Sequence, residues 1–220
     1  MVAWSREQDS RRRASGQMLQ WPIMTDFGFM LFDTQIGPCG IAWGDRGVIA
    51  VQLPEGDEAK TRARLLRRCP HAREAVPPAA VKDAIEGIIS LLRGEGRDLS
   101  AIALDMDGLP SFDRRVYDVA RTIAPGATLS YGEISARLGA RDLAREVGQA
   151  LGRNPFPIIV PCHRVLAAGG KAGGFSANGG ITTKLRLLTI ERARTSDTPT
   201  LFDGDSTFGF AMRPRRRNSR

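Results

Sequence analysis

Histidine, cysteine and tyrosine are scarce in this chain: two His, three Cys and two Tyr in 220 residues. Each shortage excludes something. A structural zinc site takes about four Cys, His or carboxylate ligands. Apart from one adjacent Cys-His pair, the only such proximity is Cys69-Pro70-His71, so no metal is expected. Three cysteines, an odd number, point to free thiols in a reducing compartment rather than to a disulfide framework. No apolar run approaches the roughly 18–20 residues that span a bilayer, so no membrane contact is expected. The Arg-rich start (Arg6, Arg11, Arg12, Arg13) lacks the apolar stretch of a secretory signal, and a cytoplasmic protein is expected.

Acidic residues are also in the minority, 24 against 32 Lys and Arg, which leaves a net charge of +8. The excess is uneven. Residues 21–128 carry 13 basic and 15 acidic side chains, whereas residues 129–197 carry 10 basic and 5 acidic. Phosphate attraction follows local Lys and Arg, so a nucleic-acid partner suits the second half; a merely solubilising charge excess suits it equally.

Residues 1–23 and 198–220 have no periodic apolar face and read as disordered tails, the second ending in the basic Arg213-Pro214-Arg215-Arg216-Arg217. Residues 24–108 mix β-rich runs (Phe29 to Phe32, Gly40 to Trp43, Val48 to Val51) with helical spacing at Ala59 to Arg68 and Ala80 to Leu92. Gly44-Asp45-Arg46-Gly47 is a turn signal that predicts a hairpin, and Ile102-Ala103-Leu104 is expected to close the sheet. This is an α/β N-terminal domain. Residues 109–197 are mainly helical. Ser111 is expected to cap one helix that runs to Pro125-Gly126. Ser130 with Glu133 three residues on predicts a capping box. A further helix is expected over Ala140 to Gly152 after a tight turn at Gly139, and the pair resembles a helix-turn-helix.

The most informative stretch is Asn154-Pro155-Phe156-Pro157-Ile158-Ile159-Val160-Pro161-Cys162-His163-Arg164-Val165. Proline fixes its own φ and pushes the preceding residue toward extended geometry, so the three prolines are expected to hold the segment extended and deliver Cys162 rigidly at its end. A thiol is nucleophilic as thiolate, and a neighbouring proton acceptor lowers its pKa. On its own the pair also fits a buried, inert cysteine.

Asn154-Pro155 followed by Pro161-Cys162-His163-Arg164-Val165 resembles the active-site signature of the O6-alkylguanine-DNA alkyltransferases, also called methylated-DNA–protein-cysteine methyltransferases. The likeness continues in Ser130-Tyr131-Gly132-Glu133, Arg145-Glu146-Val147-Gly148 and Gly174-Phe175-Ser176, with Lys184, Leu188 and Glu191 downstream. It covers residues 111–192 strongly and 29–105 weakly. It implies a ribonuclease H-like first domain and a winged-helix-like second domain with a helix-turn-helix. It also implies direct reversal of damage, in which the alkyl group of O6-alkylguanine, and of O4-alkylthymine, passes irreversibly to Cys162.

The same resemblance implies that His163 takes the thiol proton through a water, steadied by Glu191, and that Asn154 braces the active-site loop. Arg145 would fill the stack that the flipped base leaves, and Tyr131 would sit near the rotated phosphate and the base edge. The Val165 carbonyl and the Ser176 backbone would read the base, beside Phe175, where some relatives carry Tyr. Without the resemblance, Arg145 reads as a surface arginine and Glu191 equally as a solvated helix-end carboxylate. The resemblance further implies no cofactor, double-stranded DNA carrying O6-alkylguanine as partner, a monomer, and a cytoplasmic or nucleoid-associated location. The reading from another class is a non-catalytic alkylated-DNA binding or regulatory protein on the same scaffold; the presence of Cys162 separates the two.

Overall fold

The computed structural model describes residues 27–193; both tails, with their basic C-terminal cluster, lie outside them. Three strands form an antiparallel meander: β1 (Gly28–Thr34), β2 (Gly37–Gly44) and β3 (Gly47–Gln52). The hairpin turn falls where the Gly-Asp-Arg-Gly signal placed it, with Gly44 paired to Gly47. Gly47 has φ +129, and a Cβ there would meet the Ala103 carbonyl oxygen at 2.4 Å, so only glycine fits.

After α1 (Glu58–Arg68), capped by Asp57 accepting from the Lys60 amide at 2.8 Å, a two-residue strand β4 (Arg73–Glu74) joins the other edge of β1 in parallel. The sheet order is β3-β2-β1-β4. Alternation along the strands feeds both faces. Phe29, Ala42 and Ala50 pack with Leu65 of α1, while Ile41, Trp43 and Val51 join the larger core with α2 (Ala79–Leu92). Ile102–Leu104 adds no strand: Leu104 makes a single bridge to Val48, held by Val48 N–H to the Ala103 carbonyl at 3.0 Å.

The second half holds α3 (Ser111–Arg121), β5 (Leu129–Ser130), α4 (Tyr131–Arg137), α5 (Ala144–Gly152), β6 (Val165–Leu166) and α6 (Gly180–Ile190). Its buried residues Val116, Tyr117, Ile134, Val147 and Phe156 belong to the same apolar cluster as α2 and the sheet. Strand β3 reaches across directly, with the Val51 amide donating to the Pro155 carbonyl at 2.8 Å. The sheet therefore buttresses the loop that carries the reactive cysteine.

Three local expectations change. The position before α3 is taken by Pro110, whose fixed φ suits a helix start, so Ser111 lies inside the helix and caps nothing; the helix ends at Arg121, not at Pro125-Gly126. The Ser130–Glu133 capping box is present on α4, with the Glu133 amide donating to Ser130 Oγ at 3.1 Å. Helix α5 begins at Ala144 rather than Ala140, because Ser135 Oγ bonds the Ala140 carbonyl and accepts from the Leu143 amide at 3.1 Å. A side chain that satisfies loop backbone in this way competes with helix. The shift moves Arg145 from mid-helix to the first turn. No helix among the described residues is long and apolar enough to cross a membrane.

Candidate active site

The loop before the cysteine is folded back, not extended. Asn154 donates from Nδ2 to the Val160 carbonyl at 2.9 Å and accepts from the Phe156 amide at 2.9 Å. One side chain thus closes both ends of a loop in which the Val160 amide reaches the Phe156 carbonyl at 2.8 Å. The reversal passes through Ile158 at φ +77, a left-handed conformation that β-branched residues rarely adopt. Burial of Ile158 and Ile159 and the Asn154 brace over-determine it. The prolines set local φ, but the asparagine sets the path.

At Pro161 (φ −80, ψ 66) the chain makes an inverse γ-turn, with the Cys162 amide donating to the Val160 carbonyl at 2.8 Å. Cys162 then opens a single turn of 3₁₀ helix, Cys162–Arg164. The residue is 8% exposed. Burial pushes the thiol pKa up; the Asn154 side chain, the positive charge of Lys184 and the backbone N–H groups of Cys162 and His163 pull it down. The other two cysteines differ. Cys39 is fully buried and pushed up to about 12, and Cys69 is raised by burial at the end of α1.

Behind the thiol lies a buried ionic group. His163 Nε2 is 2.9 Å from Glu191 Oε1, at the C-terminal cap of α6. Arg164 grips the same carboxylate with both Nε and Nη2 at 2.8 Å. Burial would raise the Glu191 pKa, but the hydrogen bonds and charges of His163 and Arg164 outweigh it and hold the group at about 2. Burial depresses His163, against the opposing pull of Glu191, so the ring is neutral at pH 7. An ionised carboxylate only accepts; Nε2 therefore carries the ring proton, and Nδ1 keeps its lone pair. Nδ1 is buried and has no protein partner. That leaves a proton acceptor one residue from the thiol.

Lys184 of α6 is fully buried, donates to the Val165 carbonyl at 2.6 Å and sits 5.9 Å over the Tyr131 ring. Burial lowers its pKa to about 8, against the opposing effect of Cys162. Tyr131, in the first turn of α4, has its pKa raised by burial and then by Cys162. A cleft of about 520 Å³ opens over the thiol, walled by Tyr131, Arg145, Gly148, Phe175 and Ser176. Gly173, at φ +63, lets its loop approach the Tyr131 hydroxyl, 3.4 Å from where a Cβ would stand.

Of the residues singled out in the sequence, Tyr131, Arg145, Phe175 and Ser176 meet Cys162 on this cleft, and Asn154, His163 and Glu191 support it from behind. Val165 does not line it: the residue is fully buried in β6, and its carbonyl already accepts from Lys184. Sequence reasoning gave no role to Arg164 or Lys184, although both stand among the residues that carry the resemblance. Lys184 carried a readable signal, lying three and four residues before Leu187 and Leu188 on the buried stripe of α6. Among the described residues no three His, Cys, Asp or Glu side chains gather where they could hold a metal.

A buried thiol with an imidazole–carboxylate pair behind it and an open cleft before it defines a protein built around one cysteine nucleophile. Residues 111–193 match the family described as 6-O-methylguanine DNA methyltransferase, DNA binding domain. The methylated-DNA–protein-cysteine methyltransferase of Methanothermobacter thermautotrophicus is 39% identical over 152 residues, 69% of this chain and 78% of the relative. That of Mycolicibacterium paratuberculosis is 44% identical over 126 residues, 57% and 74% of the two. Mycobacterium tuberculosis OGT in complex with DNA superposes with a TM-score of 0.61 at 34% identity, covering 75% of this chain and 92% of that one. The chain belongs to the methylated-DNA–protein-cysteine methyltransferase family.

Proposed function

We propose that this protein repairs alkylated DNA by direct reversal, taking the alkyl group of O6-alkylguanine, and of O4-alkylthymine, onto Cys162. The observation that carries the reading is Cys162 on the wall of an open cleft, followed directly by His163, whose buried Nδ1 is unpaired and whose Nε2 holds the Glu191 carboxylate. The thiol proton passes through one water to His163 Nδ1. The new S–C bond forms as the C–O6 bond breaks in line. The released electron pair goes to the guanine, which takes up one proton and leaves as the normal base. Glu191 stabilises the imidazolium, and Arg164 keeps Glu191 ionised. A thioether is a poor leaving group and no second nucleophile restores the thiol, so the protein acts once, without a cofactor.

An alkylated guanine within a duplex must leave the stack to meet a buried thiol. Helices α4 and α5 serve as the helix-turn-helix, and Arg145 enters the vacated stack from the first turn of α5. Tyr131 lies near the rotated phosphate and base edge, and the Ser176 backbone beside Phe175 reads the base. We assign residues 24–108 to a ribonuclease H-like domain and 109–197 to a winged-helix-like domain, with tails at 1–23 and 198–220. The protein works as a monomer in the cytoplasm or on the nucleoid. Titration with a duplex bearing O6-methylguanine tests the proposal: demethylation should stop at one equivalent of lesion per chain, and continued turnover would refute it.

A further inference from the structure

Arg164 follows His163 in the turn that carries the thiol, yet it is buried and does not line the cleft over Cys162. Its guanidinium is a junction. Nη1 donates to the Ile123 carbonyl, just beyond α3, at 2.5 Å. Nε and Nη2 donate to the two oxygens of Glu191, each at 2.8 Å. One of those oxygens, Oε1, is also the partner of His163 Nε2. A single carboxylate therefore faces a permanent cation, the guanidinium, and an imidazolium that exists only while His163 holds the thiol proton. Few other charges bear on this group. Cys162 precedes the ring in the same turn, Lys184 acts on it from α6, and Asp98, from the segment before α3, acts on Arg164. Burial disfavours charge on the ring, Glu191 favours it, and the charges of Arg164 and Lys184 side with burial.

A carboxylate that belonged to the imidazole alone would draw a second proton onto the ring. A ring with both nitrogens protonated is a donor only and has no lone pair for the thiol proton. Building on the reading of Cys162 as alkyl acceptor, we propose that Arg164 is a positioning residue for that proton transfer: its fork holds both Glu191 oxygens, so the carboxylate fixes His163 Nε2–H without becoming its full counter-ion, and Nδ1 stays open until the thiol delivers its proton. In the transfer the S–H bond breaks, Nδ1 gains the proton through the water, Nε2 keeps its own, and Arg164 exchanges nothing. The fork matters as well as the charge, because a lysine ammonium is a point charge and cannot grip both oxygens in one plane.

The chain has two histidines, and the other, His71, is exposed, so nitrogen NMR of histidine-labelled protein resolves the ring of His163 against an internal reference. In the DNA-free natural protein at pH 7 that ring should carry one proton, on Nε2. In Arg164→Met it should take up its second proton at a higher pH than in the natural protein. The single-turnover rate on an O6-methylguanine duplex should then fall most at low pH and recover as pH rises. Arg164→Lys should shift both readings the same way by less. An unshifted His163 ring in Arg164→Met would overturn the proposal, and so would a rate loss equal at every pH, which makes Arg164 a packing contact. If Arg164→Met does not fold, an unshifted ring in Arg164→Lys overturns it equally. The ring is measured without DNA, so it decides the role of Arg164 separately; absence of methyl transfer by the natural protein would instead sink the alkyltransfer reading itself.

Discussion

Replacing Glu191 by glutamine keeps the shape of the side chain and removes only its charge. In the folded protein the carboxylate is brought from 4.5 to about 2, and it is 2% exposed. At about 1.4 kcal/mol per unit of pKa, that gap corresponds to about 3 kcal/mol of stability at pH 7, the scale expected for breaking a buried ion pair. The sign follows from the depressed folded value. The contribution is complete above the unfolded pKa and is lost as pH falls through the folded one. The stability difference between the natural protein and Glu191→Gln should therefore be about 3 kcal/mol at pH 7, shrink to about 1 kcal/mol at pH 3 and vanish near pH 2. Urea unfolding followed by circular dichroism across that range measures it, because the other carboxylates titrate alike in both proteins. A difference that stays constant with pH would show that Glu191 is not held ionised by His163 and Arg164.

Three further outcomes are expected. Lys184→Met should slow transfer near pH 7, since the neighbouring cation pulls the Cys162 pKa down and its loss thins the thiolate population. The deficit should fade above pH 8 as Lys184, held at about 8, loses its own proton; a deficit independent of pH would argue for a packing role. Arg145→Ala should repair lesions in single strands at nearly the normal rate but duplex lesions slowly, because unstacking costs least in single strands; equal losses on both would contradict insertion into the stack. Affinity for DNA should fall linearly with log salt, and a salt-independent affinity would remove the basic second half as the docking face.

The sequence was most legible where local chemistry decides the structure. Gly44-Asp45-Arg46-Gly47 specifies its hairpin, and Ser130 with Glu133 specifies the start of α4. Both depend on residues within one turn. It was least legible where a distant or unusual partner decides. Nothing near Ala140 signals that Ser135 will capture the loop and delay α5 to Ala144. The two exposed residues of β4 carry no strand pattern and exist because β1 offers an edge. The parallel pairing of Leu129 with Val165 spans a stretch no periodicity can bridge. At the site, the nucleophile and the His163–Glu191 pair were legible through the family resemblance, whereas on pattern alone Glu191 reads equally as a solvated helix-end carboxylate. The contacts of Arg164 and Lys184 were not legible: Arg164 in a sequence reads as surface charge, and the apolar stripe that marks Lys184 as buried does not tell what it touches. Only the structure shows one gripping Glu191 and the other buried beneath Tyr131.

The central claim is that one sulfur, that of Cys162, accepts the alkyl group. Peptide mapping by mass spectrometry after reaction with one equivalent of an O6-methylguanine duplex tests it most directly. A single methyl on the peptide containing Cys162, with none in the Cys162→Ser variant, is the predicted result. Methyl on Cys39 or Cys69, or a methylated Cys162→Ser chain, would contradict the account.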